Sequence, residues 1–287
     1  MIREAAPAKV NLYLHVVGRR ADGYHLLESL VVFADVGDVV EVGPGDGLEL
    51  SVEGPFAGQV PANADNLVLR AARLLADEVG RTPKLRLRLI KNLPVGAGLG
   101  GGSADAAATL RALARLWALD NPMPRLFRIA GALGADVAVC VRSRASLIGG
   151  IGEKIETLTS FAPLPAILVH PGRALLTKDV FAARQGPFSP PRKLPEGDKI
   201  DLLELVRTSR NDLQAAANSL CPEIGRAIDI VKKNGSFWLS RMTGSGSACF
   251  GICEELEIAR KVSREMAQGG ANWWASAVTL GSAQVWD

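Results

Sequence analysis

The sequence has only four cysteines in 287 residues, none of them in a C-x-x-C pair. Cys140, Cys221, Cys249 and Cys253 offer no disulfide framework, and no His or Cys cluster completes a metal site around Cys249 and Cys253, so all four are expected to be buried, reduced thiols. No apolar run approaches the ~18 residues needed to cross a bilayer. The first fourteen residues, MIREAAPAKVNLYL, carry Arg3, Glu4 and Lys9 in place of an apolar signal core, which argues against export. A net charge of +3 is too small to indicate a nucleic-acid partner, and no internal repeat is present. What remains is a cytoplasmic globular protein of ordinary composition, long enough for one large domain or two medium ones.

Periodicity supplies the next constraint. Residues 1–53 alternate apolar and polar positions and are rich in β-branched side chains, which predicts antiparallel strands. A helix is expected after Asp65 as cap, with Leu67, Ala71, Leu74 and Leu75 on one face and Gly80 as its stop. KLRLRLIKN alternates strictly, so Leu85, Leu87 and Leu89 should face inward from a strand. A helix capped by Ser103 and a second helix over RLFRIAGALG follow, then a short strand over ADVAVCV and another over PAILVHPG. Residues 185–199 contain four prolines and read as an exposed loop or hinge. The rest reads as two helices, a strand, the glycine turn TGSGSA, a strand, a helix and a final strand. Without a regular βαβ beat, the fold class is α+β.

The most informative stretch is PVGAGLGGGSADAA, Pro94 to Ala107, with glycines at 96, 98, 100, 101 and 102. Gly96, Gly98 and Gly101 satisfy G-x-G-x-x-G, but no second strand precedes Asp120, the acid at the spacing a dinucleotide fold would require. No Gly-Lys-Ser/Thr closes the stretch, which excludes a Walker A loop, and a linker would not sit pinned between a strand and a helix. The chemistry common to phosphate loops survives. Glycines let backbone N–H groups approach an anion, and the following helix N-terminus adds free donors and a favourable dipole.

LPVGAGLGGGSADAA resembles the phosphate-binding motif of the GHMP kinase superfamily, which includes galactokinase and the homoserine, mevalonate and phosphomevalonate kinases. APAKVNLYLHVVGRRADGYHLLES (Ala6 to Ser29) and RMTGSGSACFG (Arg241 to Gly251) resemble its N-terminal and C-terminal motifs, in the expected order. GRRADGYHLLES, LGADVAVCV and IGGIGEKIE are similar to one branch, whose members phosphorylate 4-diphosphocytidyl-2-C-methyl-D-erythritol in the non-mevalonate isoprenoid pathway. The resemblance spans nearly the whole chain and is weakest between residues 185 and 235. It implies two domains, 1–157 and 158–287. The first would resemble the second domain of a small-subunit ribosomal protein, the second a ferredoxin, with the active site between them.

The resemblance also implies roles. Lys9 and Asp136 would be catalytic, Asp136 accepting or orienting the hydroxyl proton and Lys9 stabilising the alkoxide-like transition state. ATP would be held by Asn66, Lys91, Pro94, Gly96, Ala97, Gly98, Leu99, Gly100, Gly101, Gly102, Ser103 and Ala104, with Mg2+ accompanying it and no protein metal cluster. The second substrate would meet Asn11, which shares a strand face with Lys9, and Thr177, Gly244, Ser245 and Gly246. Tyr24 and Phe181 would stack on the cytosine and His25 would read its edge, the alternative for Tyr24 being a side chain folded back onto the core. Ala104 replaces the second hydroxyl of the usual GGSS, and Ala138 the proline that often follows GADV. Two other readings stay open: another small-molecule kinase of the superfamily, and a catalytically silent nucleotide- or RNA-binding module. No membrane partner is expected, and oligomeric state is left open.

Overall fold

The computed structural model describes all residues except 62, 64, 192–201, 235, 269–272 and 284–287. Two long strands open the chain: β1 (Ile2–Arg19) and β2 (His25–Pro44), antiparallel to each other along most of their length. β3 (Leu48–Glu53), α1 (Leu67–Glu78), β4 (Leu85–Ile90), α2 (Gly101–Leu116), α3 (Met123–Leu133) and α4 (Ala135–Arg142) follow, then the hairpin β5 (Ser146–Gly150) and β6 (Lys154–Thr157). The second half holds β7 (Leu164–His170), α5 (Thr177–Ala183), α6 (Leu202–Thr208), α7 (Gln214–Leu220), α8 (Glu223–Lys233), β8 (Phe237–Met242), β9 (Cys249–Cys253), α9 (Leu256–Gln268) and β10 (Trp274–Gly281). No helix among the described residues is long and apolar enough to cross a membrane.

One sheet runs through both halves in the order β3-β4-β2-β10-β7-β9-β8, with β1 and the β5–β6 hairpin also paired onto β2. The alternation along β4 puts Leu85, Leu87 and Leu89 inside, as expected, where they meet α1 to α4. A second cluster, with Val10, Leu12, Leu30, Val32 and Phe250, fills the middle, and a third lies under α7, α8 and α9. The run of Ala104, Ala106, Ala107, Ala108, Ala112 and Ala114 lets α2 lie close against β1, β2, α1 and α4 at once. The four cysteines are buried and unpaired, and no cluster of metal-ligating side chains occurs among the described residues.

The structure corrects several local expectations. Residues 135–142 form α4 and not a strand. A seven-residue apolar run does not reveal its period, and burial of Val137, Cys140 and Val141 follows a helical face. Asp136 accordingly sits in the first turn of a helix, where its charge favours the dipole. Ser103 does not cap α2; Gly100, in the left-handed region at φ +64°, does, because the tight loop needs that conformation before the helix can begin. Asn66 caps α1 in place of Asp65, its side chain accepting from Val68 N. Leu74 is 37% exposed, and Val68, Leu69, Ala72 and Ala76 join Ala71 and Leu75 in the buried face. β3 pairs with β4 in parallel, so residues 1–53 are not wholly antiparallel. Three helices, not two, lie between residues 202 and 233. Of the proline-rich stretch, residues 192–199 lie outside the described residues.

A buried polar tie in the first half joins β1 to α2. Arg111, 1% exposed, donates to Glu4 Oε2 at 3.2 Å, Cys140 O at 2.9 Å and Ala5 O at 2.6 Å, while Arg115 donates to Glu4 Oε1 at 2.7 Å. Removing one partner of a buried pair leaves an uncompensated charge. Glu4→Ala is therefore expected to cost about 3–5 kcal/mol in urea unfolding. A loss below about 1 kcal/mol, the range of a surface pair, would contradict this.

Candidate active site

β1 is paired with β2 on one edge, and its other edge collects loops from both halves of the chain. Register shifts at Pro7/Lys9 and Asn11/Tyr13 turn β1 outward at two points. Lys9 N donates to Leu99 O at 2.8 Å, and Asn11 N to Thr243 Oγ1 at 2.8 Å. Further along, Leu14 N donates to Arg210 O, and Asp212 N donates to Leu14 O. The glycine loop after β4 and the glycine turn between β8 and β9 thus meet on one strand.

The two loops also touch directly. Ala248 N donates to Ala97 O at 2.8 Å, and a Cβ on Gly98 would lie 2.6 Å from Gly246 O. Gly96, Gly98 and Gly100 all have positive φ, +68°, +78° and +64°. With the carbonyls of Gly96, Ala97 and Leu99 engaged by Leu175, Ala248 and Lys9, the N–H groups of Gly98 to Ser103 have no acceptor among the described residues. Backbone alternating in this way forms an anion-binding concavity, and the sixteen-residue α2 aims its N-terminus into the same space. That space is a cleft of about 650 Å³.

Lys9 and Asp136 meet in this cleft. Lys9 Nζ lies 3.1 Å from Asp136 Oδ1, the lysine side chain buried (5% exposed) and the carboxylate open (55%). Nζ also donates to Asn11 Oδ1 at 3.0 Å, and Asn11 Nδ2 donates to Ser29 Oγ at 2.7 Å. The arrangement holds a cation against a solvent-facing carboxylate that is free to take a proton from an incoming hydroxyl.

Beneath the loop lies a second charged group. Lys91 Nζ donates to Asp38 Oδ2 at 2.5 Å and to Asp105 Oδ2 at 2.7 Å, all three side chains being nearly inaccessible. Burial pushes the Asp105 carboxyl up to about 8, against the pull of Lys91, and its Oδ1 has no partner. Burial opposes the Lys91 charge, but Asp105 and Asp38 outweigh it and hold the ammonium above its usual range. The three side chains thus form one buried cluster of mutually paired groups below the loop. Asp38 Oδ1 also accepts from the N–H groups of Asn92 and Leu93, fixing the start of the loop.

Of the predicted site residues, Lys9, Asn11, Asn66, Lys91, Pro94, Gly96 to Ser103, Asp136, Thr177, Phe181, Gly244 and Ser245 line the cleft. Ala104 is buried in the core and Gly246 packs against Met242 Sδ, so neither faces it. Asn66 is engaged by Val68 N and Pro61 O, and Lys91 by its two carboxylates, so both side chains serve the cleft wall. Thr177 Oγ1 and Ser245 Oγ are hydrogen-bonded at 2.9 Å. Tyr24 and His25 are not among the residues lining the cleft, and Tyr24 is 62% exposed, which excludes the core-packed alternative. His25 stacks on Phe181 with centroids 4.8 Å apart and an interplanar angle of 22°. Burial, then Arg19 and Arg184, lowers its pKa, so His25 is neutral at pH 7 and offers one donor and one acceptor. Sequence reasoning missed Ser29, Asp38, Asp105 and Asn211, whose amide donates to Met242 O and Gly244 O and shapes the second glycine turn. No spacing signal marks Asp38 or Asn211; Asp105 lay unremarked inside the quoted motif.

Comparison with known proteins gives the same organisation. Residues 66–144 match the family model for the GHMP kinases N terminal domain, and residues 192–272 that for the GHMP kinases C terminal. The 4-diphosphocytidyl-2-C-methyl-D-erythritol kinase of Paramagnetospirillum magneticum is 45% identical over 96% of this chain and 97% of its own. That of Rhodospirillum rubrum is 46% identical over 96% and 92%. A crystal structure of 4-(cytidine 5'-diphospho)-2C-methyl-D-erythritol kinase superposes with a TM-score of 0.78 at 33% identity, covering 98% of this chain and 100% of the other. With a fold, two motif loops and full-length relatives in agreement, the chain belongs to the GHMP kinases, in the 4-diphosphocytidyl-2-C-methyl-D-erythritol kinase family.

Proposed function

We propose that the chain transfers the γ-phosphoryl group of ATP to the 2-hydroxyl of 4-diphosphocytidyl-2-C-methyl-D-erythritol, giving the 2-phosphate, in the non-mevalonate isoprenoid pathway. The observation that carries this reading is the Lys9–Asp136 pair, 3.1 Å apart, in the same cleft as an unsatisfied row of backbone N–H groups. The row from Gly98 to Ser103 holds the ATP phosphates, and Asp136 takes or orients the proton of the attacking hydroxyl. Lys9 lies beside the same oxygen and stabilises the charge that develops on it. Magnesium bound with ATP would neutralise phosphate charge, and the Ser103 hydroxyl in the first turn of α2 is suited to hold it. Tyr24 and His25, the latter stacked on the cleft-lining Phe181, bind the cytosine, and Thr177 with the turn at Gly244 and Ser245 receives the diphosphate. The cleft then lies between a domain of residues 1–157 and one of 158–287. Buried, unpaired cysteines support a reducing, cytoplasmic setting.

Lys9→Ala and Asp136→Asn are each expected to lower kcat at least ~100-fold, within the range of general acid–base groups. ATP-analogue affinity should change less than about twofold, since neither removes a loop donor. Near-normal ADP release from either variant would remove the catalytic assignment.

The phosphate loop is best tested at Gly102. A side chain at Gly98 or Gly100 would strain backbone at positive φ, and at Gly101 it would crowd Lys91 Nζ at 3.0 Å; at Gly102 it meets only Leu67 Cδ1, at 3.6 Å. Gly102→Val should weaken an ATP analogue at least ~10-fold in calorimetry while the melting temperature holds, because the branch blocks anion approach without disturbing the loop. Unchanged affinity would make the loop purely structural.

For the cytidyl site, Tyr24→Ala should weaken CDP by about 10- to 100-fold, the equivalent of ~1–3 kcal/mol of stacking. ATP-analogue binding and thermal stability should stay unchanged, as the ring is mostly exposed. Normal CDP affinity in this variant would remove Tyr24 from the cytosine site.

A further inference from the structure

Ser29, in β2 opposite Leu14, is 2% exposed and lines the cleft, yet it lies behind Asn11 as seen from Lys9 and touches neither member of the catalytic pair. Its hydroxyl makes two contacts. It donates to Tyr13 O at 2.5 Å and accepts from Asn11 Nδ2 at 2.7 Å. A serine hydroxyl has one proton, and a carbonyl can only accept, so that proton is committed to Tyr13. Only a lone pair remains to face Asn11, and a lone pair demands the amide NH2 on that side. The amide oxygen must then point the other way, where it meets Lys9 Nζ at 3.0 Å, a group that can only donate. Asn11 itself cannot slide, because its backbone N–H is tied to Thr243 Oγ1 at 2.8 Å.

We propose that Ser29 is a positioning residue for phosphoryl transfer: it fixes the Asn11 amide orientation and, through it, aims the Lys9 ammonium. The chain of donors runs one way, from Lys9 to Asn11 to Ser29 to the Tyr13 carbonyl. Lys9 ends a flexible four-carbon stem, and two of its three N–H directions are set by Asn11 Oδ1 and Asp136 Oδ1. The third is left for the reacting oxygen. Without the Ser29 hydroxyl the amide gains a second orientation, one that turns NH2 toward the ammonium and releases it.

This inference rests on the reading of Lys9 as the group beside the reacting hydroxyl, so Lys9→Ala is assayed in parallel. Full turnover by Lys9→Ala would defeat that reading; an inactive Lys9→Ala beside a fully active Ser29→Ala would defeat this inference alone. Ser29→Ala is expected to lower kcat about tenfold while KM for ATP shifts less than about twofold, since a small displacement of a catalytic group acts on the chemical step. A double-mutant cycle with Asn11→Asp separates orientation from packing. A carboxylate presents an oxygen to Lys9 in either orientation, so Ser29→Ala should cost less than about twofold in kcat in the Asn11→Asp background. Equal losses in both backgrounds, an effect confined to KM, or unchanged kcat in Ser29→Ala would each overturn the proposal. If Asn11→Asp has no measurable turnover, the split between kcat and KM in Ser29→Ala decides the matter.

Discussion

The backbone contact between the two glycine loops on the outer edge of β1 is the constraint from which the site follows. A loop can offer its N–H groups to an anion only if its carbonyls are satisfied elsewhere. Here they are satisfied by Leu175, Ala248 and Lys9, from segments far apart in the chain. The approach is close enough that a single Cβ on Gly98 or Gly244 would strike the other loop's backbone. Because Lys9 N is one of these donors, the strand that carries Lys9 also holds the glycine loop. The loop and the proposed catalytic pair are thereby set at a fixed spacing, the condition under which positioning would lower a barrier.

Electrostatics is arranged on the same frame. Two carboxyl groups bury against Lys91 below the loop, where burial pushes the Asp105 carboxyl up and the lysine pulls it down. Asp136 is treated differently: open to solvent, in the first turn of α4, it stays available to a hydroxyl proton. Three acids therefore differ in setting, two as the buried anchors of one lysine and one open to solvent in the cleft.

Much of this was legible beforehand because it rests on local chemistry. The alternation of Leu85, Leu87 and Leu89 announced an inward-facing strand, and the glycines before the alanine-rich stretch announced a loop leading into a helix. Lys9 and Asn11 share a face because strand period is two, and their side chains do meet. What failed was decided by geometry beyond the window. ADVAVCV had too few residues to reveal a helical period. Ser103 has a capping side chain, but the left-handed turn at Gly100 moved the helix start upstream. Asp38 joins Lys91 across 53 residues and Ser29 joins Asn11 across 18, pairings that only the sheet register reveals.

The most direct test of the central claim is product identification after incubation with ATP. ADP release is followed in a coupled assay with 4-diphosphocytidyl-2-C-methyl-D-erythritol, mevalonate and homoserine as separate acceptors, and phosphorus NMR locates the new monoester. Turnover with the cytidyl acceptor alone, yielding one phosphomonoester at the 2-hydroxyl, is the predicted result. No turnover with that acceptor, or faster turnover with either of the others, would contradict it.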